Sequence, residues 1–312
     1  EKNPERIRIL TELKDEGYQV AFDSGIMDCG KWGELADICI VDALDPQIDK
    51  IMARAEKINQ AGLKLMAKRV ETRECHEVLK QAGFSMFQGF FFQKPETVKG
   101  TNLSAHQVMR LKILQLLQTP DPDLDKLADI LEKEVSLAYR ILRYVNSAHF
   151  SIPVKIRSIR HALSYIGFNH LKMLLELFLI RSITPTAKPS ELPFTSALRG
   201  RFLETLAREH AAFKNQADPL FMLGLLSLLD AIFDMPMEKV LQGLPLEKDL
   251  HNALCRLDSP YLPWLDLTLA FEDASWEKVD QLVDSLGLNP VLVARNYAQS
   301  QAWTREFFDF QI

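Results

Sequence analysis

Short apolar runs alternate with segments of helical spacing through the first hundred residues. The apolar runs lie at residues 18–23, 37–42 and 63–67, with a shorter one near 86–88. Between them, apolar residues recur every three or four positions, and glycines follow the ends of these segments. Alternating strands and helices with short connections predict parallel strands joined by right-handed crossovers.

The pattern becomes purely helical after residue 95. From about residue 103 onward, segments of helical spacing are separated by capping residues, Pro and Gly. The predicted helices cover residues 103–117, 124–133, 135–145, 158–166, 169–183, 194–213, 219–233, 276–286 and 290–308. The boundary is predicted near residues 96–102, which gives an α/β domain at 1–98 followed by an all-α domain at 103–312.

The composition argues against a nucleic-acid-binding or membrane-spanning protein. The 312 residues carry a formal net charge of −5, so the chain lacks the excess of basic residues that is typical of nucleic-acid-binding proteins. The longest apolar run, residues 173–180, is interrupted by Glu176 and is too short to span a bilayer. Four cysteines without a CxxC pair predict reduced thiols. We therefore predict a cytoplasmic protein with no nucleic-acid partner, no membrane partner and no cofactor. Its opening at Glu1, without Met or a signal peptide, is also consistent with an excised fragment.

Polar side chains follow the predicted strands of the first domain. They are Asp23, Asp42, Glu71 and Gln88. In a βα barrel, side chains at the carboxyl ends of the strands converge on one site. Three carboxylates and an amide there would suit a hard divalent cation such as Mg²⁺, although acids at strand ends also serve solubility alone.

Four blocks of the first domain resemble the EAL family, the cyclic di-GMP phosphodiesterase barrel. Residues 20–25 (VAFDSG) resemble the family's ALDDFG, and residues 38–42 (ICIVD) resemble LKID. Residues 67–72 (AKRVET) resemble AEGVET, and residues 88–95 (QGFFFQKP) resemble QGYLFSKP. The resemblance covers roughly residues 4–96 and implies the C-terminal part of a (β/α) TIM-barrel-like EAL domain.

Departures from the EAL pattern fall on the residues that carry its chemistry. Ser24 replaces the second Asp of the family's DD pair. Ile40 replaces its catalytic Lys, and Lys68 replaces the Glu at its catalytic water. A lysine there repels a metal ion instead of binding it. The residues that keep the family's identity are Asp23, Asp42, Glu71 and Gln88. The resemblance thus implies a vestigial EAL site with no catalytic residue and no metal, in a protein that is not an enzyme.

The basic pair Lys68-Arg69 has two interpretations. It could attract a phosphate-bearing ligand to the rim of the sheet. Alternatively, it forms a solvated rim or ion pairs with neighbouring acids, because a local charge pair gives little specificity.

Four strands cannot close an eight-stranded barrel. The EAL signature and the family's first strands are not in this chain, so an open edge and an open core need covering. A missing N-terminal half-barrel, the helical domain or a second copy in a homodimer would each provide the cover.

Two segments of the second domain resemble the HDOD family. Residues 134–148 contain RILRYVNSA, and residues 156–167 contain I-R-S followed by a helix that ends in I-G. The family's usual run is DPxLxxRLLRxxNSA…I.S…A…LG…L, and the match covers about residues 103–310. The motif positions that the resemblance assigns to packing and capping are Asn146, Ser147, Ser158 and Gly167.

HDOD domains resemble HD phosphohydrolases that have lost the His-Asp metal pair. Residues 224–229 read GLLSLL where an HD enzyme would read GLLHD, so Ser227 and Leu228 replace the His and the Asp. The other histidines are scattered without the spacing that aims two imidazoles at one ion; they include His149, His161, His170, His210 and His251. No metal is therefore predicted in this domain.

Together the two resemblances suggest a bacterial EAL–HDOD signal-transduction protein. The leading hypothesis is a non-catalytic regulatory protein whose HDOD domain binds a protein partner in a pathway related to cyclic di-GMP. The alternatives are a receptor that binds cyclic di-GMP without hydrolysis and a residual cyclic di-GMP phosphodiesterase.

Overall fold

A computed structural model describes most of the chain in two compact units. The described residues are 4–24, 35–45, 48–53, 55–60, 62–93, 104–117, 122–147, 154–186, 188–242, 244 and 246–309. The units are Glu1–Lys94 and Pro95–Ile312. The predicted boundary at residues 96–102 lies outside the described residues.

The N-terminal unit contains a parallel sheet with helices in its connections. Its elements are α1 (Pro4–Asp15), β1 (Ala21–Asp23), β2 (Ile38–Asp42), α2 (Ile48–Met52), α3 (Ala55–Gln60), β3 (Lys64–Lys68), α4 (Arg73–Gln81) and β4 (Met86–Phe87). The strands are hydrogen-bonded in the order β1-β2-β3-β4, and all pairs are parallel. Within the described residues this is a small open sheet, and a TIM barrel is not observed.

The first strand is shorter than its apolar pattern predicts. The backbone N–H of Val20 donates to the Asp37 carboxylate at 2.7 Å instead of joining a strand ladder. Lys14 of α1 donates to the same carboxylate at 2.9 Å. These hydrogen bonds hold the pKa of Asp37 below its usual value. Regular pairing therefore begins only at Ala21, which lies opposite Ile38.

Alternating side chains of the two central strands form the core of this unit. Cys39 and Val41 of β2, with Leu65 and Ala67 of β3, are fully buried, and Leu79 of α4 packs against them. One face of each strand is thus covered, as the period of two along a strand requires.

Cys39 is expected to resist alkylation in the native protein. Burial raises the pKa of its thiol to about 11, so almost no reactive thiolate exists at pH 8. Iodoacetamide labelling followed by peptide mass spectrometry should modify Cys39 only after unfolding in guanidinium. Labelling of native Cys39 as fast as in the unfolded chain would show that this core is open.

Helices are the only regular secondary structure among the described residues of the second unit. Its helices are α5 (Ala105–Leu117), α6 (Leu124–Lys133), α7 (Val135–Val145), α8 (Ile159–Ile166), α9 (Phe168–Ile183), α10 (Glu191–Glu209), α11 (Ala217–Leu226), α12 (Leu229–Phe233), α13 (Met237–Leu241), α14 (Lys248–Leu254), α15 (Leu262–Glu272), α16 (Trp276–Ser285) and α17 (Pro290–Asp309). The predicted helix over residues 219–233 is two helices, because the chain turns at Ser227. There the Ser227 hydroxyl donates to the Gly224 carbonyl at 2.7 Å.

Helices α10 and α11 cross in backbone contact. A Cβ built on Gly224 would lie 2.2 Å from the backbone nitrogen of Gly200, and one on Gly200 would lie 2.8 Å from the Phe221 carbonyl oxygen. Glycine at both positions lets the helix axes approach more closely than any side chain permits. This crossing sets the position of Arg199 relative to Ser227.

One segment in the described part of the chain, Lys214–Phe233, has the length and apolar composition of a membrane-spanning helix. In the fold, 72% of its most apolar window is buried, and the segment comprises a 3-10 turn and two helices. Core helices of packed helical domains show the same composition.

Candidate functional site

The rim at the carboxyl ends of the strands carries two ion pairs. Lys68, at the end of β3, donates from Nζ to Asp23 Oδ1 at 2.7 Å, which links β3 to the end of β1 across β2. Arg69 donates from Nε to Asp42 Oδ1 at 2.8 Å, with a second contact from Nη2 to Oδ2. Each retained acid of the first two strands therefore faces a cation.

Arg69 adopts a conformation that is uncommon for residues other than glycine. Its φ is 58°, in the left-handed region. This turn carries the side chain back to Asp42, and its hydrogen bonds hold the pKa of that carboxyl below its usual value. The guanidinium side chain is 58% exposed, so it remains accessible from solvent.

The other sequence-predicted rim residues are less closely associated. Glu71 and Gln88 are exposed, and Ser24 follows β1 directly. Ile40 lies opposite Asp23 in the β1–β2 register. The structure thus brings Asp23 to Lys68 and Asp42 to Arg69, and it shows no hydrogen bond or ion pair among the described residues Ser24, Ile40, Glu71 and Gln88.

The donor set of the rim does not fit a hard divalent cation in this arrangement. Each of the two strand-end carboxylates is neutralised by a cation less than 3 Å away, and such a charge opposes a metal ion at the same oxygens. Among the described residues, no group of three or more His, Cys, Asp or Glu side chains is arranged to hold a metal. His149 lies outside the described residues.

A buried ion pair occupies the region of the degenerate HD position in the helical unit. Arg199 of α10 donates to both carboxylate oxygens of Glu272 on α15, at 2.7 and 2.6 Å. Its Nη1 donates to the Ser227 hydroxyl at 3.0 Å. Leu228, the second degenerate position, is buried. A charged network therefore lies at the position where an HD phosphohydrolase would carry its His-Asp metal pair.

Sequence reasoning missed Arg199 and Glu272 because 73 positions separate them. The sequence does contain one indication that these two residues have partners. An arginine and a glutamate inside apolar helices need partners, since a lone buried charge is very costly.

Asn146 joins the end of α7 to the segment before α8. Its Nδ2 donates to the carbonyls of Leu142 at 2.6 Å and Ile156 at 2.8 Å, and its Oδ1 accepts from the N–H of Ile156 at 2.8 Å. The neighbouring Ser147 hydroxyl is buried and has no hydrogen-bond partner among the described residues. Asn146 therefore supplies a backbone-like pairing for an otherwise irregular segment.

Capping residues define the two ends of α8. The Ser158 hydroxyl accepts from the N–H of His161 at 3.1 Å. Gly167, with φ of 78°, ends α8 and begins α9, a conformation that glycine adopts without strain.

Replacing Asn146 with Ala is expected to destabilise the helical unit by about 2–3 kcal/mol, because it leaves the buried polar groups of Ile156 unpaired. Urea unfolding followed by circular dichroism measures the change. As a control, Asn252→Ala removes a single hydrogen bond of 3.3 Å and should cost less than about 1 kcal/mol. Equal losses in the two variants would contradict the assigned role.

Comparison with known proteins places the helical unit in a family. The sequence profile of the HDOD domain matches residues 103–238. The chain is 30% identical over 301 residues to the cyclic di-GMP phosphodiesterase CdgJ of Vibrio cholerae, covering 95% of this chain and 69% of CdgJ. It is 27% identical over 317 residues to YuxH of Bacillus subtilis, covering 98% of this chain and 76% of YuxH.

A solved HDOD domain protein from Geobacter sulfurreducens is also similar, with 19% identity and a TM-score of 0.34. The aligned region covers 63% of this chain and 70% of the Geobacter protein.

The prediction that the chain is not an enzyme is wrong on this comparison. It relied on Ser24, Ile40 and Lys68, whereas a relative that is similar along nearly the whole chain is named a phosphodiesterase. Departures from a linear motif do not establish that activity is lost, because catalysis depends on which groups meet in space. With CdgJ similar through both units and the HDOD profile matched, the chain belongs to the HDOD family of signalling proteins that includes CdgJ.

Proposed function

We propose that this chain is a regulatory protein of cyclic di-GMP signalling that binds the nucleotide at the sheet rim and a protein partner through its HDOD domain. The observation that carries the proposal is the similarity to CdgJ, which runs through both units. A cytoplasmic setting is part of the proposal, since cyclic di-GMP signalling implies access to an intracellular nucleotide.

The N-terminal unit is, in this proposal, the C-terminal part of an EAL domain. Support comes from the four EAL-like blocks, which fall at or beside successive parallel strands, and from the acids that follow β1 and β2. Strand-end residues of βα folds generally form the ligand site.

Lys68 and Arg69 are the groups proposed to contact the nucleotide phosphates. Both ion pairs of the rim are substantially exposed, and exposed pairs contribute only about 0–1 kcal/mol. A phosphate can therefore replace or share the carboxylate partner of Arg69, and a guanidinium holds a phosphate through two parallel hydrogen bonds. Gln88 lies exposed at the next strand end, where an amide could contact a base or a ribose.

Titration calorimetry of the full chain with cyclic di-GMP tests the proposal. We expect a dissociation constant below about 10 µM, and Arg69→Met should weaken binding about tenfold or more. Arg8→Met is the matched control, because Arg8 is an exposed arginine paired with Glu12 on α1. Linear product is measured in the same mixtures with Mg²⁺ and Mn²⁺, since turnover requires the same binding step. Absence of both binding and turnover would refute the proposal.

A further inference from the structure

A groove of about 610 Å³ lies where the loop between α9 and α10 meets the end of α17. Its walls include Arg181 in the last turn of α9, Phe194 in the first turn of α10, and Phe308 of α17. The loop contributes Thr186 and Lys188. The volume of this α9–α10 loop groove lies within the range of about 300–1,000 Å³ that is usual for small-molecule sites.

Arg181 is a cation of this groove that has no carboxylate partner among the described residues. Lys188 differs from it, because Lys188 donates from Nζ to Asp234 Oδ1 at 2.5 Å. Glu191 also lines the groove, but it is exposed and forms no ion pair with Arg181 in the described part of the chain. The half-buried guanidinium of Arg181 therefore faces the groove with its charge uncompensated.

Two further arginines lie near Arg181. Arg110 of α5 donates from Nη1 to the carbonyl of Ser182, the residue that follows Arg181, at 2.5 Å. Burial lowers the pKa of both Arg181 and Arg110, and the nearby charge of Arg140 on α7 lowers both further. Among the described carboxylates, Glu134 counteracts this at Arg110, and none does so at Arg181. Three helices thus bring three guanidinium groups into one region.

This concentration of positive charge stands in a chain that is acidic as a whole, with a formal net charge of −5. Half-buried like charges repel each other strongly, because water and salt screen them less than at the open surface. Such a cluster is costly for the folded chain alone, and an anion from outside relieves the cost. Guanidinium groups bind phosphate through two parallel hydrogen bonds. The cluster therefore indicates an anionic ligand at Arg181, its member in the wall of the groove.

Two aromatic side chains beside Arg181 add a preference for a ligand with a planar ring. The rings of Phe194 and Phe308 meet edge to face with centroids 5.5 Å apart, and both side chains are half-buried. The Arg181 guanidinium lies over the Phe308 ring, 5.5 Å from its centroid. Nucleic-acid bases stack on aromatic side chains and on arginine planes, whereas an inorganic anion gains nothing from such surfaces. Thr186 is exposed in the same groove, where its hydroxyl can contact a ribose.

We propose that the α9–α10 loop groove binds a nucleoside phosphate, with the terminal phosphate on Arg181 and the base against Phe194 and Phe308. A terminal phosphate carries up to two negative charges, which offset the repulsion between Arg181 and Arg140. This site belongs to the helical unit and uses none of the residues of the sheet rim, so it goes beyond the proposed function.

Calorimetry of the full chain with AMP, GMP, CMP and UMP tests this assignment. We expect at least one of these nucleotides to bind with a dissociation constant of about 0.1 mM or below. The corresponding nucleoside, which lacks the phosphate, should bind at least about tenfold more weakly. Ribose 5-phosphate, which lacks the base, should also bind at least about tenfold more weakly. Inorganic phosphate is the further control for an anion site without a base.

Variants of the two halves of the groove locate the ligand. Arg181→Met should weaken nucleotide binding about tenfold or more. Phe194→Leu keeps an apolar side chain but removes the ring, so it should weaken nucleotide binding and leave ribose 5-phosphate binding unchanged. Arg295→Met is the matched control, because Arg295 is an exposed arginine paired with Glu209 and lies about 20 Å from Phe308 along α17. It should leave nucleotide binding unchanged.

Thermal unfolding separates a ligand-binding role of Arg181 from a structural one. Arg181→Met should unfold at no lower a temperature than Arg295→Met, because it removes a half-buried charge that no carboxylate compensates. A clearly lower unfolding temperature together with lost binding would assign Arg181 to the fold and contradict the proposal.

The proposal is overturned if no nucleotide binds, if the nucleoside, ribose 5-phosphate or inorganic phosphate binds as tightly as the nucleotide, or if Arg181→Met has no effect. Arg69→Met should leave nucleotide binding at the groove intact, since Arg69 belongs to the other unit. Failure of cyclic di-GMP to bind, with the groove results as expected, would refute only the proposed function.

Discussion

Gly224→Ala is expected to destabilise the helical unit by about 3 kcal/mol or more, because overpacking at a backbone contact cannot be relieved by a rotamer change. The added Cβ would lie 2.2 Å from the Gly200 nitrogen and 2.3 Å from the Arg199 carbonyl carbon. Both are backbone atoms, so α10 and α11 would have to separate. Separation moves Arg199 away from Ser227 and weakens the buried network as well. Thermal unfolding should shift down by roughly 10 °C for a unit of this size.

Gly287→Ala provides the control for this variant. Its Cβ would meet only His210 Nε2, at 3.9 Å, but its φ of 65° is unfavourable for alanine. We expect a loss of about 1–2 kcal/mol from the backbone conformation alone. If Gly224→Ala loses no more stability than Gly287→Ala, the backbones of α10 and α11 are not in close contact in the folded protein.

Glu272→Ala is expected to cost about 3–5 kcal/mol, the usual penalty for removing one partner of a buried ion pair. The change leaves the Arg199 guanidinium, 2% exposed, without the two oxygens that accept from it at 2.7 and 2.6 Å. Only the Ser227 hydroxyl would remain of the three acceptors described above. Urea unfolding of the full chain, followed at helical wavelengths, measures the loss.

The double variant Arg199→Met with Glu272→Met separates two explanations of that loss. Replacing a buried pair by apolar side chains is often neutral, since neither charge then needs desolvation. We therefore expect the double variant to be more stable than Glu272→Ala. A double variant that is as unstable as the single one would mean that the pair shapes the core through packing rather than through charge.

The sequence was most informative where local pattern decides structure. The strands β2 and β3 lie within one residue of their predicted positions, because each is an apolar run whose central residues, such as Val41 and Leu65, are buried. The break between α11 and α12 was not predicted, because the residues around Ser227 continue the apolar helical spacing. What ends the helix is a side-chain bond to Gly224 together with a contact from distant Arg199.

The sequence also does not predict a groove of about 650 Å³ in the helical unit, which residues of α9 and α10 line. In the sequence, Glu176 is only an interruption of an apolar run, and the charged residues of α10 that face it are spaced as in any amphipathic helix. Only the packing of α9 against α10 shows that Glu176 and Glu204 line the same groove. At the rim, the order of the motifs predicts that Asp23 and Lys68 lie at strand ends, but their pairing requires the register of three strands.

Hydrogen exchange of the full chain with and without cyclic di-GMP is the most direct test of the central claim, that the chain acts in cyclic di-GMP signalling through the rim of its N-terminal sheet. Binding there should order Arg69 and its neighbours, so exchange should slow in peptides covering residues 64–72 and 84–93. Mass spectrometry of peptic peptides reports the location. Slower exchange in these peptides, reversed in Arg69→Met, is the predicted result. Unchanged exchange throughout the N-terminal unit at saturating nucleotide would contradict the claim.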